Sequence, residues 1–133
     1  MNNKKVVITG IGIVCSMGKT VEEFGDALFA GKTCIGPIEG WHITDKRFTL
    51  GGQYRDFNLR DDLPHVDPKR MYRFSQFCLV AAHRAVIDSG LQLDTENRDN
   101  VGTSFSTVAS GLAEAVEINA KKYFTKGERG ISP

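Results

Sequence analysis

Apolar and polar positions follow different periods along the 133-residue chain. Residues 6–9, VVIT, form a β-branched run without polar interruption, the pattern of a strand buried on both faces. Gly10, Gly12 and Gly18 then break it. From Thr20 the spacing becomes helical, with Val21, Phe24, Ala27 and Leu28 on one face. Thr20 and Glu23 predict a capping box, Thr20 as N-cap and Glu23 at the third helical position. Gly31 predicts the stop. Residues 32–66 carry no clear period and hold Gly36, Pro37, Gly40, Gly51, Gly52 and Pro64, with one short extended candidate over 48–54. A connection this long inside a compact domain is either functional or packed against something else.

The pattern resumes at Asp67 and Pro68, an acid N-cap followed by proline at the first helical position. Met71, Phe74, Cys78, Ala81 and Ala85 form a stripe that Phe77 and Val80 widen, and Gly90 predicts its end. Residues 101–107 predict a second strand. Residues 109–126 predict a third helix, whose early Glu114 and Glu117 and late Lys121, Lys122 and Lys126 suit the helix dipole. The order strand, helix, loop, helix, strand, helix points to an α/β layer structure. There are no internal repeats.

Composition narrows the function classes. Apolar residues make up 41% and charged residues 25%, a globular balance. A formal charge of +1 gives no bulk attraction for nucleic acid. No apolar run approaches the roughly 18 residues of a membrane span, so no membrane partner is expected. The first five residues lead straight into the strand without a signal-peptide core or cleavage site, which predicts a cytoplasmic protein. Cys15, Cys34 and Cys78 are odd in number and lack metal-ligand spacing, so no metal is expected and the thiols are read as reduced, structural residues.

The glycine run after the first strand raises two chemical readings. A dinucleotide loop needs its last glycine at the helix start, but here the capped helix begins only near Thr20, too far along to meet a pyrophosphate. Lys19 lacks the glycine frame of a P-loop. A nucleophilic Cys15 would want a helix N-terminus, histidine or cation beside it, and His42, His65 and His83 are distant in sequence. The glycines are therefore read as letting the chain leave a buried strand and cross over.

Four stretches in order resemble one family. "VVITGIGIVCSMGKTVEEFGDALFAGKTCI", "DPKRMYRFSQFCLVAAHRAVIDSGL", "NVGTSFST" and "GISP" look like the opening of the β-ketoacyl-acyl-carrier-protein synthases of the thiolase-like superfamily. Phe24 stands where the family often has tryptophan. The resemblance spans the whole chain and only the front third of a family subunit. It implies a thiolase-like, two-fold repeated α/β/α/β/α layered fold, with residues 1–133 as a partial N-terminal domain. The chain is expected to be a fragment of that fold, a cleaved product or a truncated gene product.

The resemblance also implies the chemistry: decarboxylative Claisen condensation in fatty acid or polyketide synthesis, using a cysteine at a helix N-terminus and two partner residues. None of those motifs occurs in residues 1–133, so no catalytic residue is expected here and the chain alone should be inactive. No cofactor is implied, the substrates riding on the phosphopantetheine of acyl carrier protein. Lys69 and Arg70 match basic residues that meet the acidic carrier protein in related enzymes, the alternative being a solvated first turn. Thr107, Val108, Ala109 and Ser110 match a stretch at the dimer interface and the far end of the acyl pocket, the alternative being that Ala109 simply begins a helix. Cys78, mid-helix on the apolar stripe, is expected to pack, and His83 to lie at a surface or interface. The implied assembly is a homodimer, or a heterodimer of ketosynthase and chain-length-factor subunits. Competing readings are a non-catalytic chain-length factor, a stand-alone fragment that docks on a ketosynthase, and, weakest, a nicotinamide-dependent oxidoreductase.

Overall fold

The computed structural model describes residues 4–40, 47, 49–94, 98–109 and 111–130; the side chains of Arg70, Arg98 and Arg129 lie outside this description. Helix α1 spans Val21–Phe29. Thr20 caps it as expected, its Oγ1 accepting from the Glu23 N–H at 3.1 Å. The return bond of the box lands one residue early: the Lys19 N–H donates to Glu23 Oε2 at 2.6 Å. At the other end Gly31 takes φ +64°. Its N–H bonds the Leu28 carbonyl and the Lys32 N–H that of Ala27, the double closure of a left-handed C-terminal cap.

Strands β1 (Ile35–Pro37) and β2 (Leu50–Gly52) pair antiparallel, Gly36 opposite Gly51. The extended candidate over 48–54 thus contains β2, although Phe48 lies outside the described residues. Its partner β1 falls in a stretch read as irregular. Beyond the ladder, the Glu39 N–H donates to Gln53 Oε1 at 2.9 Å and Gln53 Nε2 returns to the Glu39 carbonyl at 3.0 Å.

Helix α2 spans Arg73–Ser89. The expected start at Asp67 is corrected: Asp67 caps only a single 3-10 turn, Pro68–Arg70, by accepting from the Lys69 N–H. Met71 is extended at φ −138°, ψ 141°. Gln76 holds the break, its Nε2 donating to the carbonyls of Pro68 and Met71 at 3.1 Å each. Gly90 ends the helix as expected, at φ +67°. Helix α3 spans Leu112–Lys126, three residues shorter at its start than expected, because Gly111 at φ +78° forms its N-cap. Lys121 and Glu117 pair at 2.6 Å one turn apart on its exposed face.

Residues 6–9 and 101–107 form no strand, which corrects both strand expectations. Among the described residues the sheet consists of β1 and β2. A strand exists only when its N–H and C=O groups find a ladder, and neither run has one here. Val6 and Ile8 are 96% and 85% exposed. Sequences suited to burial on both faces therefore stand open.

The small core sits between α2 and the turn Leu59–Asp61, where Leu59 and Val80 are fully buried. Tyr54, Phe57 and Phe77 pack beside it, Phe57 edge-on to Phe77 at 4.6 Å between centroids. The Arg73 guanidinium lies over both phenylalanine rings, at 5.4 and 5.2 Å, and donates to the Tyr54 carbonyl. The chain exposes 11383 Å². A compact monomer of 14.7 kDa would expose roughly 6,900 Å². Large apolar side chains, among them Val6, Ile8, Phe29, Val108 and Phe124, contribute to that exposed surface.

Candidate functional site

The glycine run docks on α2. A Cβ built on Gly10 would stand 2.3 Å from the Ala85 carbonyl oxygen, and one on Gly12 would stand 1.9 Å from that of Ala81. Only hydrogen fits between the two backbones, so these glycines serve a close crossing and not a phosphate. The crossing agrees with a steric role for the glycines but adds its object, the small-residue ridge Ala81, Ala85 and Ser89 at helical spacing. The sequence placed Ala81 and Ala85 on the apolar stripe of this helix; that the stripe receives the glycines, and that Ser89 extends it, comes from the structure.

Polar contacts lock the crossing. The Ile11 N–H donates to Asp88 Oδ2 at 2.8 Å. Arg84 Nη1 donates to the carbonyls of Ile13 and Lys19 at 2.8 and 2.6 Å, while its Nε and Nη2 hold Asp62. The hydrogen bond to Asp62 holds the Arg84 guanidinium above its ordinary value, working against partial burial. Sequence reasoning missed Arg84. It lies beside an apolar stripe like any solvated arginine, and its partners are remote along the chain.

Cys15 and Cys34 line an open cavity of about 550 Å³ beneath β1 and β2, together with Met17, Gln53 and Tyr54. Cys15 donates its thiol to the Gly18 carbonyl at 3.6 Å. Neither His65 nor His83 lines this cavity. Cys78 sits in the second turn of α2 and is half-buried, as is His83 on the same helix; His65 is exposed and His42 lies outside the described residues. All three thiols are free and none is fully buried, so their packing is looser than the structural reading expects. Among the described residues no group of three or more histidine, cysteine or acidic side chains is placed to hold a metal ion.

Lys69 is exposed in the 3-10 turn before α2, and Arg70 closes that turn. Three residues on, the Arg73 N–H at the start of α2 donates to Glu114 Oε2 in the first turn of α3, at 2.9 Å. Thr107, Val108 and Ala109 are all exposed. Ala109 does not begin the helix, which corrects that alternative; its carbonyl accepts from the Leu112 N–H at 2.7 Å, closing the turn ahead of α3. Ser110 lies outside the described residues. This bond joins the start of α2, just after the basic turn, to the first turn of α3, just after residues 107–109; the sequence offered Glu114 only as an acid suited to the helix dipole.

Comparison with known proteins gives this arrangement its family. The model of the β-ketoacyl synthase N-terminal domain matches residues 3–132. This chain belongs to the β-ketoacyl synthase family. As a ketosynthase-family chain it is 31% identical over all 133 residues to a 3-oxoacyl-[acyl-carrier-protein] synthase 2 from Synechocystis, covering 32% of that protein. Enzymes of the same name from Vibrio cholerae and Staphylococcus aureus are each 32% identical, with 32% and 31% of their lengths covered. Among solved structures, the ishigamide ketosynthase/chain length factor superposes with a TM-score of 0.73 over 96% of this chain and 32% of that one, at 25% identity. The chain spans about a third of the length of these relatives. The family resemblance read from the four motifs is thereby established, and the architecture is a partial α/β unit that superposes on a ketosynthase. Among the described residues no helix is long and apolar enough to cross a membrane.

Proposed function

We propose that this chain is the N-terminal portion of a β-ketoacyl-acyl-carrier-protein synthase, acting within a thiolase-like layered fold in the cytoplasm. What carries the reading is similarity along all 133 residues to proteins named 3-oxoacyl-[acyl-carrier-protein] synthase 2. The reaction class follows. A thiolate takes an acyl group from a carrier thioester and releases the carrier thiol; loss of CO₂ from a malonyl thioester gives an enolate, which attacks the acyl group and expels the thiolate. The nucleophile and its partners come from outside residues 1–133. This portion contributes the docking turn of Lys69 and Arg70 for an acidic carrier protein and the Thr107, Val108 and Ala109 stretch for the acyl pocket and subunit contact. No cofactor enters this scheme beyond the carrier's phosphopantetheine. The exposed side chain of Lys69 and the exposure of residues 107–109 support these assignments.

A second reading is the non-catalytic chain-length-factor subunit, favoured by likeness to a solved ketosynthase/chain length factor. One experiment separates the two. The assembly containing this chain is offered acyl and malonyl carrier protein, and each polypeptide is weighed by mass spectrometry. The synthase reading expects 3-oxoacyl product and an acyl adduct on the polypeptide that bears this sequence. An adduct only on a partner subunit would support the chain-length factor, and no product from any assembly would sink both.

A further inference from the structure

Two contacts join the start of α2 to the start of α3. Glu114 supplies the acceptor that no side chain of α2's own N-cap provides: Tyr72 makes no capping bond, and the Arg73 N–H is held by Glu114 Oε2 at 2.9 Å. Beside it, Gly111 backs onto Tyr72, so closely that a Cβ on Gly111 would stand 3.1 Å from Tyr72 Cβ. Gly111 also holds φ +78°, which places the turn ahead of α3 in a conformation that other residues resist. These two contacts bridge stretches about 40 residues apart in sequence. On one side lie Lys69 and Arg70, within four residues of Arg73; on the other lie Thr107, Val108 and Ala109, within seven of Glu114.

We propose that the Arg73–Glu114 bond and the Tyr72–Gly111 contact form a joint through which the docking turn sets the position of the turn ahead of α3, with Glu114 as a positioning residue for carrier recognition and product length together. The proposal rests on the synthase reading above. The bond is local, directional and charge-assisted, so losing it frees one helix end and the adjoining turn at once. The Arg73 guanidinium is committed elsewhere, over Phe57 and Phe77 and to the Tyr54 carbonyl, which fixes the α2 side of the joint.

The test uses the active assembly containing this chain, with variants Glu114→Ala, Glu114→Gln and Gly111→Ala. Carrier KM, product-length distribution and amide exchange at Arg73 are measured for each. Glu114→Ala is expected to speed Arg73 exchange roughly tenfold to a hundredfold, as loss of one charge-assisted bond implies. It should raise carrier KM several-fold and shift the product-length distribution. Glu114→Gln keeps an acceptor oxygen without the charge and should restore a large part of all three. Gly111→Ala should move the same two activity readouts in the same direction. If Glu114→Ala shifts only one of KM and product length, or glutamine fails to rescue a folded enzyme, the joint is overturned while the synthase reading stands. If the wild-type assembly never elongates carrier-bound acyl groups, the synthase reading falls and takes the joint's function with it.

Discussion

Arg84 grips Asp62 with two parallel bonds, Nε to Oδ1 at 2.7 Å and Nη2 to Oδ2 at 2.8 Å. Its remaining Nη1 reaches the carbonyls of Ile13 and Lys19, so one side chain joins α2, the turn before Asp67 and the glycine run. Arg84→Ala is expected to destabilise the fold by about 2–3 kcal/mol, because it strands a half-buried carboxylate and two carbonyls. Arg84→Lys should recover only part of that, since an ammonium is a point donor without the planar fork. Denaturant midpoints of the assembly measure both. Equal midpoints for wild type and alanine would show that the pair contributes nothing.

The glycines make opposite predictions. Gly12→Ala places a Cβ 1.9 Å from the Ala81 carbonyl oxygen, which forces the crossing apart and should cost about 3 kcal/mol or more. Gly25, inside α1 with nothing within 4 Å of its missing Cβ, should gain about 0.5–1 kcal/mol on Gly25→Ala. Thermal unfolding of the two variants side by side checks the contrast. Equal shifts would remove the steric account of Gly12.

Charge reversal tests the docking turn. Lys69→Glu combined with Arg70→Glu is expected to slow association with acyl carrier protein, most strongly at low salt, where the screening length is longest. Stopped-flow association at two ionic strengths reads this directly. Unchanged rates at low salt would take both residues out of the docking surface.

The open apolar surface predicts association. Residues 1–133 alone should not sediment as a compact, cooperatively unfolding monomer, given 11383 Å² of exposed surface and the uncovered face of α3 at Leu112, Val116 and Phe124. Ala109→Trp, which puts a large ring into the stretch before α3, should disturb assembly or shorten the product of the complete enzyme. A tight monomer from sedimentation, with product lengths unaltered by the tryptophan, would sink this reading.

Local sequence determined what local physics controls. Thr20 and Glu23 start α1, and Gly31 and Gly90 end α1 and α2, because caps and left-handed glycines act within a few residues. The four family motifs, too, were legible as strings. Tertiary structure decided the rest. Whether 6–9 and 101–107 become strands depends on a partner ladder, and no run of β-branched residues supplies its own. Whether α2 begins at Pro68 or Arg73 depended on Gln76, which ties off the Pro68 and Met71 carbonyls, and on a glutamate 41 positions away that accepts the first N–H. Arg84 became the central clasp only because the chain brings Asp62, Ile13 and Lys19 to it. Contacts between distant residues depend on the path of the whole chain, and the pattern of any one segment does not contain that path.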